Sequence, residues 1–271
     1  MNAFQTPSAD ESAAPEAAPA APMQRDLIAG LEKGLAVIAA FDDERPRMTM
    51  SEVALQCGLT RAAARRYLLT LEHLGFVRSE RKMFSLTPKV LRLAQSYMSS
   101  ARLPRIVQPE LHKLAYTLKE ASSAGVLDGN DVICVAATTA GRAVSLTLQP
   151  GTRVPAYCTA NGRMLVASLP AAEMHAWIAR QRLNALTPGT VTSREALRDI
   201  LLQARQQGYA AVDQELEVGL RTLSVPLLSY RGEVLAAMNL SVHASRMTMD
   251  QLVENCLPPL LQAQADLRAV L

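Results

Sequence analysis

The chain is predicted to be an α+β protein in two parts: an N-terminal winged helix-turn-helix, then a linker helix and an antiparallel-sheet domain flanked by helices. Three observations carry that expectation. Apolar residues recur at helical spacing from Arg25 to Phe41 and again on both sides of Gly58. Beyond Ser122 the pattern changes to short apolar runs bounded by turn residues. Between these regions, Gly58 to Lys82 holds six basic residues (Arg61, Arg65, Arg66, Arg78, Arg81, Lys82) against two acidic ones, Glu72 and Glu80. The whole of the 271-residue chain has 28 basic and 25 acidic residues, so the excess is local. A local excess marks a polyanion-binding surface better than a solvated face does.

Residues 1–22 contain eight alanines and four prolines with three acids and no base, and are expected to be a disordered tail. Leu27, Leu31, Leu35 and Ile38 then repeat as one helix face. Asp42 to Pro46 is a connecting loop, and Thr49 or Ser51 is placed to cap a short helix from Ser51 to Cys57. Gly58 supplies the turn. Thr60 caps a second helix that ends before Gly75, with Ala64, Tyr67 or Leu68, Leu71 and Leu74 facing inward. Arg61, Arg65 and Arg66 lie near the leading end of that helix, on its outer surface. An apolar back, a slim alanine-rich front and guanidinium groups at the leading end suit insertion into the DNA major groove. Phe76 to Arg78 and Met83 to Ser85, around Ser79 to Lys82, read as a hairpin that places Arg78, Arg81 and Lys82 beside the helix as a wing.

Thr87 and Pro88 open an amphipathic helix through Val90, Leu91, Leu93, Ala94 and Tyr97, suited to a linker or a dimer contact. Pro104 opens another through Leu118. Strands are expected at Ala124 to Leu127, Val132 to Ala137, Ala143 to Leu148, Tyr209 to Val212, Thr222 to Leu228 and Val234 to Val242. Helices are expected at Asn161 to Ser168, Ala171 to Arg180, Ser193 to Gln207 and Met249 to Leu267.

No apolar run reaches membrane-spanning length and no secretion signal is visible, so a cytoplasmic protein is expected. Four cysteines (Cys57, Cys134, Cys158, Cys256) stand far apart with no CxxC pair. No GxSxG, phosphate loop, GxGxxG or HExxH occurs, and the four histidines are scattered. Neither catalysis nor a metal or other cofactor is expected; Cys158, without a histidine partner, reads as a packed thiol. The second domain instead carries polar residues in apolar surroundings: Tyr157 to Arg163 at a helix start, Asp213, Glu215 and Arg221 beside a strand, Thr222 and Ser224 on it, and Asn239 with Ser241 on one strand face. As a group they favour a small-anion pocket.

These residues resemble the IclR-type bacterial transcription regulators. The similarity runs from Asp26 to the C-terminus and is carried by LEKGLAVIAAF (Leu31 to Phe41), RRYLLTLEHLGFV (Arg65 to Val77) and VDQELEVGLRTLSVPL (Val212 to Leu227). LTRAAARRYLLTL and PAYCTANGRML bring the chain nearest to the branch that controls protocatechuate and 4-hydroxybenzoate breakdown, the β-ketoadipate pathway. The resemblance implies a GAF-like effector domain and a homodimer or dimer of dimers on double-stranded operator DNA. The implied effector is a small carboxylate, an aromatic acid or β-ketoadipate. It also implies an effector site formed by Thr159, Ala160, Asn161, Asp213, Thr222, Asn239 and Ser241. Where some members have an acid this chain has Val212, so the acidic contact is assigned to Asp213. Members often have Gly-Lys where this chain has Gly162-Arg163, which keeps the charge.

For the DNA, Arg61 and Arg65 are expected at base edges. Arg66, Arg78, Arg81 and Lys82 are expected at phosphates, with Thr60 capping and touching a phosphate. The expected organisation is a tail (1–24), a DNA-binding domain (25–87), a linker helix (88–102) and an effector and oligomerisation domain (103–271).

Overall fold

A computed structural model of the protein describes residues 24–42, 44–139 and 148–271. The expected tail except Gln24, and all but the last residue of the expected strand Ala143 to Leu148, lie outside the described residues. The chain forms two compact units that meet between Arg92 and Leu93.

In the first unit, helix α1 (Ala29–Ala39) follows a 3₁₀ turn at Gln24–Asp26, so the helix proper begins four residues later than the periodicity suggests. Helix α2 (Met50–Gln56) is started by a capping box: the Thr49 hydroxyl accepts from the Glu52 N–H, and the Glu52 carboxylate accepts from the Thr49 N–H at 2.6 Å. Helix α3 (Arg61–His73) begins at Thr60, whose hydroxyl accepts from the Ala63 N–H at 3.2 Å. Gly58 (φ +62°) and Gly75 (φ +77°) take the left-handed turns between these elements, where a Cβ is disfavoured. Ala64, Leu68 and Leu71 of α3 pack with Val37, Val53, Val77 and Phe84 in one core. Leu74 is 46% exposed rather than inward, because it falls at the C-cap where the helix is ending.

Three strands edge this unit: β1 (Met48–Thr49), β2 (Val77–Glu80) and β3 (Met83–Leu86), in the order β1-β3-β2. The wing differs from expectation in its turn. Glu80 pairs with Met83, so the strands run further and only Arg81 and Lys82 make the turn, at φ of +51° and +68°. Two positive φ angles are a type I′ turn, whose twist fits an antiparallel hairpin. The sequence hid it because this turn usually shows Asn-Gly, not Arg-Lys. Beyond the wing, a 3₁₀ turn (Pro88–Val90) leads into α4 (Leu91–Ser100), none of whose side chains is buried.

The second unit is built on a six-stranded antiparallel sheet. Its strands are β4 (Ala121–Asp128), β5 (Asp131–Thr138), β6 (Arg153–Pro155), β7 (Ala210–Asp213), β8 (Leu220–Leu228) and β9 (Val234–His243), in the order β6-β5-β4-β9-β8-β7. The three-residue edge strand β6 was invisible in the sequence, being too short to show alternation. Helices α5 (Arg102–Leu118) and α9 (Met249–Arg268) bury Val107, Leu111, Leu252 and Leu260 against Leu223, Val225, Met238 and Leu240. A second core joins α6 (Ala160–Ala167), α7 (Ala171–Ala179) and α8 (Arg194–Gln207) to Val132, Ala210 and Ala237 of the sheet, around Trp177, Leu197 and Leu201. Gly162 of α6 runs so close to the segment before it that a Cβ there would collide with the Ala156 backbone. That contact seats the start of α6 against the sheet.

Candidate functional site

In the first unit, Arg61, Arg65 and Arg66 are all exposed at the leading end of α3. Among the described residues, no hydrogen bond or ion pair occupies their guanidinium groups. The helix is slim at this end, with Ala62 exposed between the arginines and Ala64 on the buried side. Arg81 and Lys82 are exposed at the wing tip, likewise unpaired among the described residues. Arg78 is different: its Nε donates to the Ser85 hydroxyl at 3.2 Å and its Nη1 lies 3.6 Å from Glu80. An exposed pair of this kind is weak and is readily exchanged for a phosphate. Free guanidinium groups on a rigid helix, flanked by a cationic hairpin tip, match what major-groove reading and phosphate clamping need.

In the second unit, six of the seven residues expected to bind a ligand surround a single cavity between the sheet and the start of α6: Thr159, Ala160, Asn161, Thr222, Asn239 and Ser241. Strand register explains the grouping. Val212, Thr222 and Ser241 lie opposite one another across β7, β8 and β9, and Ser224, Asn239 and Ser123 form the next row across β8, β9 and β4. Side chains two apart on a strand share a face, so both rows point to the cavity side.

The same rule corrects one assignment. Asp213 is paired with Arg221 and points to the opposite face, where the Arg221 Nε donates to Asp213 Oδ1 at 2.7 Å. That guanidinium holds the Asp213 carboxyl below the usual carboxylate range. Asp213 does not line the cavity; Val212 does.

The polar wall is a connected network. The Ser224 hydroxyl donates to Asn161 Oδ1 (2.7 Å), and the Ser123 hydroxyl donates to Asn239 Oδ1 (2.6 Å). Asn161 Nδ2 donates to the same Asn239 oxygen (3.4 Å), and Asn239 Nδ2 donates to the Ser241 hydroxyl (3.2 Å). The acceptors are thus used first. The hydroxyls of Thr222 and Ser241, one hydrogen on each asparagine amide, and the N–H groups of Ala160 and Asn161 have no acceptor among the described residues. At α6 the Thr159 hydroxyl accepts from the Gly162 N–H at 3.3 Å and donates to the Pro155 carbonyl at 3.0 Å, which leaves the Ala160 and Asn161 N–H groups unserved by it. A wall with spare donors, at the positive end of a helix, suits an anionic acceptor such as a carboxylate.

The rest of the lining is apolar, from Val132, Val154, Leu216 and Leu220, with Leu148 and two cysteines. The cavity volume is about 30 Å³, enough for one or two waters. Ser123, which anchors Asn239 at the centre of the network, escapes the sequence because the expected strand starts at Ala124 and the observed one at Ala121, three residues earlier; a serine pair at the head of an apolar run is its signal.

Cys158 lines the cavity, and burial, then the nearby Glu215 carboxylate, push its thiol up to about 12. Burial pushes Cys134 up to about 11. Both stay protonated at neutral pH, the wrong state for a nucleophile. Among the described residues no group of His, Cys, Asp and Glu could hold a metal ion. No described helix is long and apolar enough to cross a membrane.

Comparison with known proteins covers both units. The family profile "IclR helix-turn-helix domain" matches residues 30–81, and "Bacterial transcriptional regulator IclR C-terminal" matches residues 95–268. The Pca regulon regulatory protein of Pseudomonas putida is 40% identical over 243 residues, covering 89% of this chain and 84% of that one. The p-hydroxybenzoate hydroxylase transcriptional activator of Acinetobacter baylyi is 36% identical, covering 90% of this chain and 92% of its own length. A crystal structure of a transcriptional regulator from Rhodococcus sp. RHA1 superposes with a TM-score of 0.77 at 41% identity, over 90% of this chain and 98% of that one. An IclR homolog from Microbacterium hydrocarbonoxydans, crystallised with 4-hydroxybenzoate, does so with a TM-score of 0.73 at 25% identity, over 89% and 100%. Fold, profiles and relatives coincide, and the chain belongs to the IclR family of bacterial transcriptional regulators, DNA-binding proteins rather than enzymes.

Proposed function

We propose that the protein controls genes for aromatic-acid breakdown in the β-ketoadipate pathway, acting in the cytoplasm on double-stranded operator DNA in response to a small carboxylate. The observation that carries this reading is the donor-rich wall around Asn161 and Asn239 in a cavity whose remaining lining is apolar. The first offers donors to a carboxylate and the second an apolar surface to an aromatic ring. The relatives named for Pca and p-hydroxybenzoate regulation support the same chemistry.

Arg61 and Arg65 read base edges, while Arg66, Arg78, Arg81 and Lys82 clamp phosphates and Thr60 orders the end of the helix. Thr159, Ala160, Asn161, Thr222, Asn239 and Ser241 hold the acid. The active form is a homodimer or dimer of dimers. The apolar side chains left exposed at the start of α1, Ile28 at 73% and Leu31 at 61%, and on α4, Leu91 at 65%, support that assembly. A ligand acts by binding one arrangement of the assembly more tightly than another.

The test is fluorescence anisotropy with DNA from upstream of the protein's own gene, at fixed salt, with protocatechuate, 4-hydroxybenzoate, β-ketoadipate or buffer added. One acid shifts the affinity. Tight DNA binding that no acid changes would sink the ligand assignment. In the same assay, Arg61→Ala loses about 1–3 kcal/mol on the cognate sequence and less on random DNA. An equal loss on both would move Arg61 to the phosphates.

A further inference from the structure

Arg163 and Glu215 form an ion pair behind the cavity. Arg163 Nη2 lies 2.7 Å from Glu215 Oε2, and the two side chains are only 2% and 7% exposed. Such a pair adds little net stability over well-packed apolar side chains, because removing both charges from water offsets their attraction. Its connections say more than its energy. Arg163 Nε donates to the Tyr157 carbonyl at 2.9 Å, Glu215 Oε2 accepts from the Val191 N–H at 2.9 Å, and the Glu215 carbonyl accepts from the Thr190 hydroxyl at 2.7 Å. Tyr157 adjoins Cys158, Arg163 lies one turn beyond Ala160, and Glu215 adjoins Leu216; each neighbour lines the cavity.

A second observation concerns the residue just before Glu215. Gln214 takes a φ of +56°, an uncommon conformation for a residue with a side chain. It is held from three sides. The Thr187 hydroxyl donates to the Gln214 carbonyl (2.6 Å), the Gly219 N–H donates to Gln214 Oε1 (3.0 Å), and the Gln214 N–H donates to the Leu220 carbonyl (2.8 Å). Backbone strain of this kind persists only where the surroundings over-determine it.

Resting on the reading of the cavity as a carboxylate site, we infer that Arg163 and Glu215 are positioning residues of that site. They form a buried strap that holds the first turn of α6 and the Leu216 loop at the separation a bound acid requires. Neither side chain lines the cavity; both act through the segments they tie. The spare donors of Ala160 and Asn161 lie on one tied segment and the apolar contact from Leu216 on the other. Slackening the strap therefore misaligns the two walls without removing any group that touches the ligand.

The test is calorimetric titration of the full-length protein with 4-hydroxybenzoate and with protocatechuate, beside a thermal melt. In Arg163→Met with Glu215→Leu, both charges leave together, so no unpaired ion remains. The Tyr157 carbonyl and the Val191 N–H lose their partners, so the melting point falls by several degrees while the protein stays folded, and affinity for the better-bound acid falls by about tenfold or more. Parental affinity in a folded double variant overturns the strap, as does a lowered melting point with affinity unchanged. If the double variant does not fold, Thr190→Val loosens the same loop with the ion pair intact. A loss of about threefold supports the strap and parental affinity overturns it. A parent protein that binds neither acid overturns the ligand reading itself, and the strap with it.

Discussion

The helix-turn-helix face and the ligand cavity use polar groups in opposite ways. On α3, Arg61, Arg65 and Arg66 are exposed, charged and without partners among the described residues, and the fold beneath them is indifferent to their identity. In the cavity, Asn161, Asn239 and Ser224 are buried, neutral and tied to each other, so the groups that recognise a ligand are also part of the core. One surface can be altered without touching stability; the other cannot. Recognition and folding are separable in the first unit and coupled in the second.

Gly162→Ala breaks the coupled side most severely. In an open helix the change would stabilise by about 1 kcal/mol. Here the added methyl meets the Ala156 backbone, and we expect a loss of about 3 kcal/mol or more, read as a shift of the second unit's urea transition. Asn239→Leu comes next. It strands the Ser123 hydroxyl and the Asn161 amide, so about 1–3 kcal/mol of stability is lost together with ligand response, while DNA binding survives. Full stability in that variant would show that the network is decorative.

Alkaline titration sharpens the contrast. Cys134, Cys158 and Cys256 are pushed up to about 11, 12 and 11 from an ordinary thiol value near 9. The folded unit keeps protons that the unfolded chain sheds. Their contribution is therefore intact below pH 9 and drains away as pH rises toward 11–12, by about 1.4 kcal/mol per thiol per pH unit. The first unit has only the partly buried Cys57, so its transition should move less between pH 8 and 10. The smallest effect is at the wing. Arg81→Asn with Lys82→Gly relieves two left-handed side-chain residues and should raise stability by about 1 kcal/mol, while weakening all DNA sequences alike and lowering the salt slope by up to about two units.

The same contrast governs what the sequence could show. The helix cap at Thr60, the turns at Gly58 and Gly75, and the arginine cluster are local signals, and each was legible; the first cap was narrowed to Thr49 or Ser51, and it is Thr49. The cavity is assembled from α6 and all six strands, β4 to β9, so its membership depends on register. Spacing by two put Asn239 and Ser241 on one face without any tertiary information. It could not decide which of Val212 and Asp213 faced inward, because that is set by the pairing of Val212 with Thr222. Likewise Arg163 and Glu215 are 52 positions apart, and nothing local announces that two ordinary-looking charges meet in the interior.

The size of the cavity has a kinetic consequence. Space of about 30 Å³ is far below the roughly 150 Å³ that accommodates benzene, so an aromatic acid cannot simply diffuse into the closed form. The walls must part first, and the observed association rate should level off at high ligand concentration, at the rate of opening. Stopped-flow traces would then report the breathing of the sheet against α6, and two acids of very different affinity would share one plateau and differ in how fast they leave.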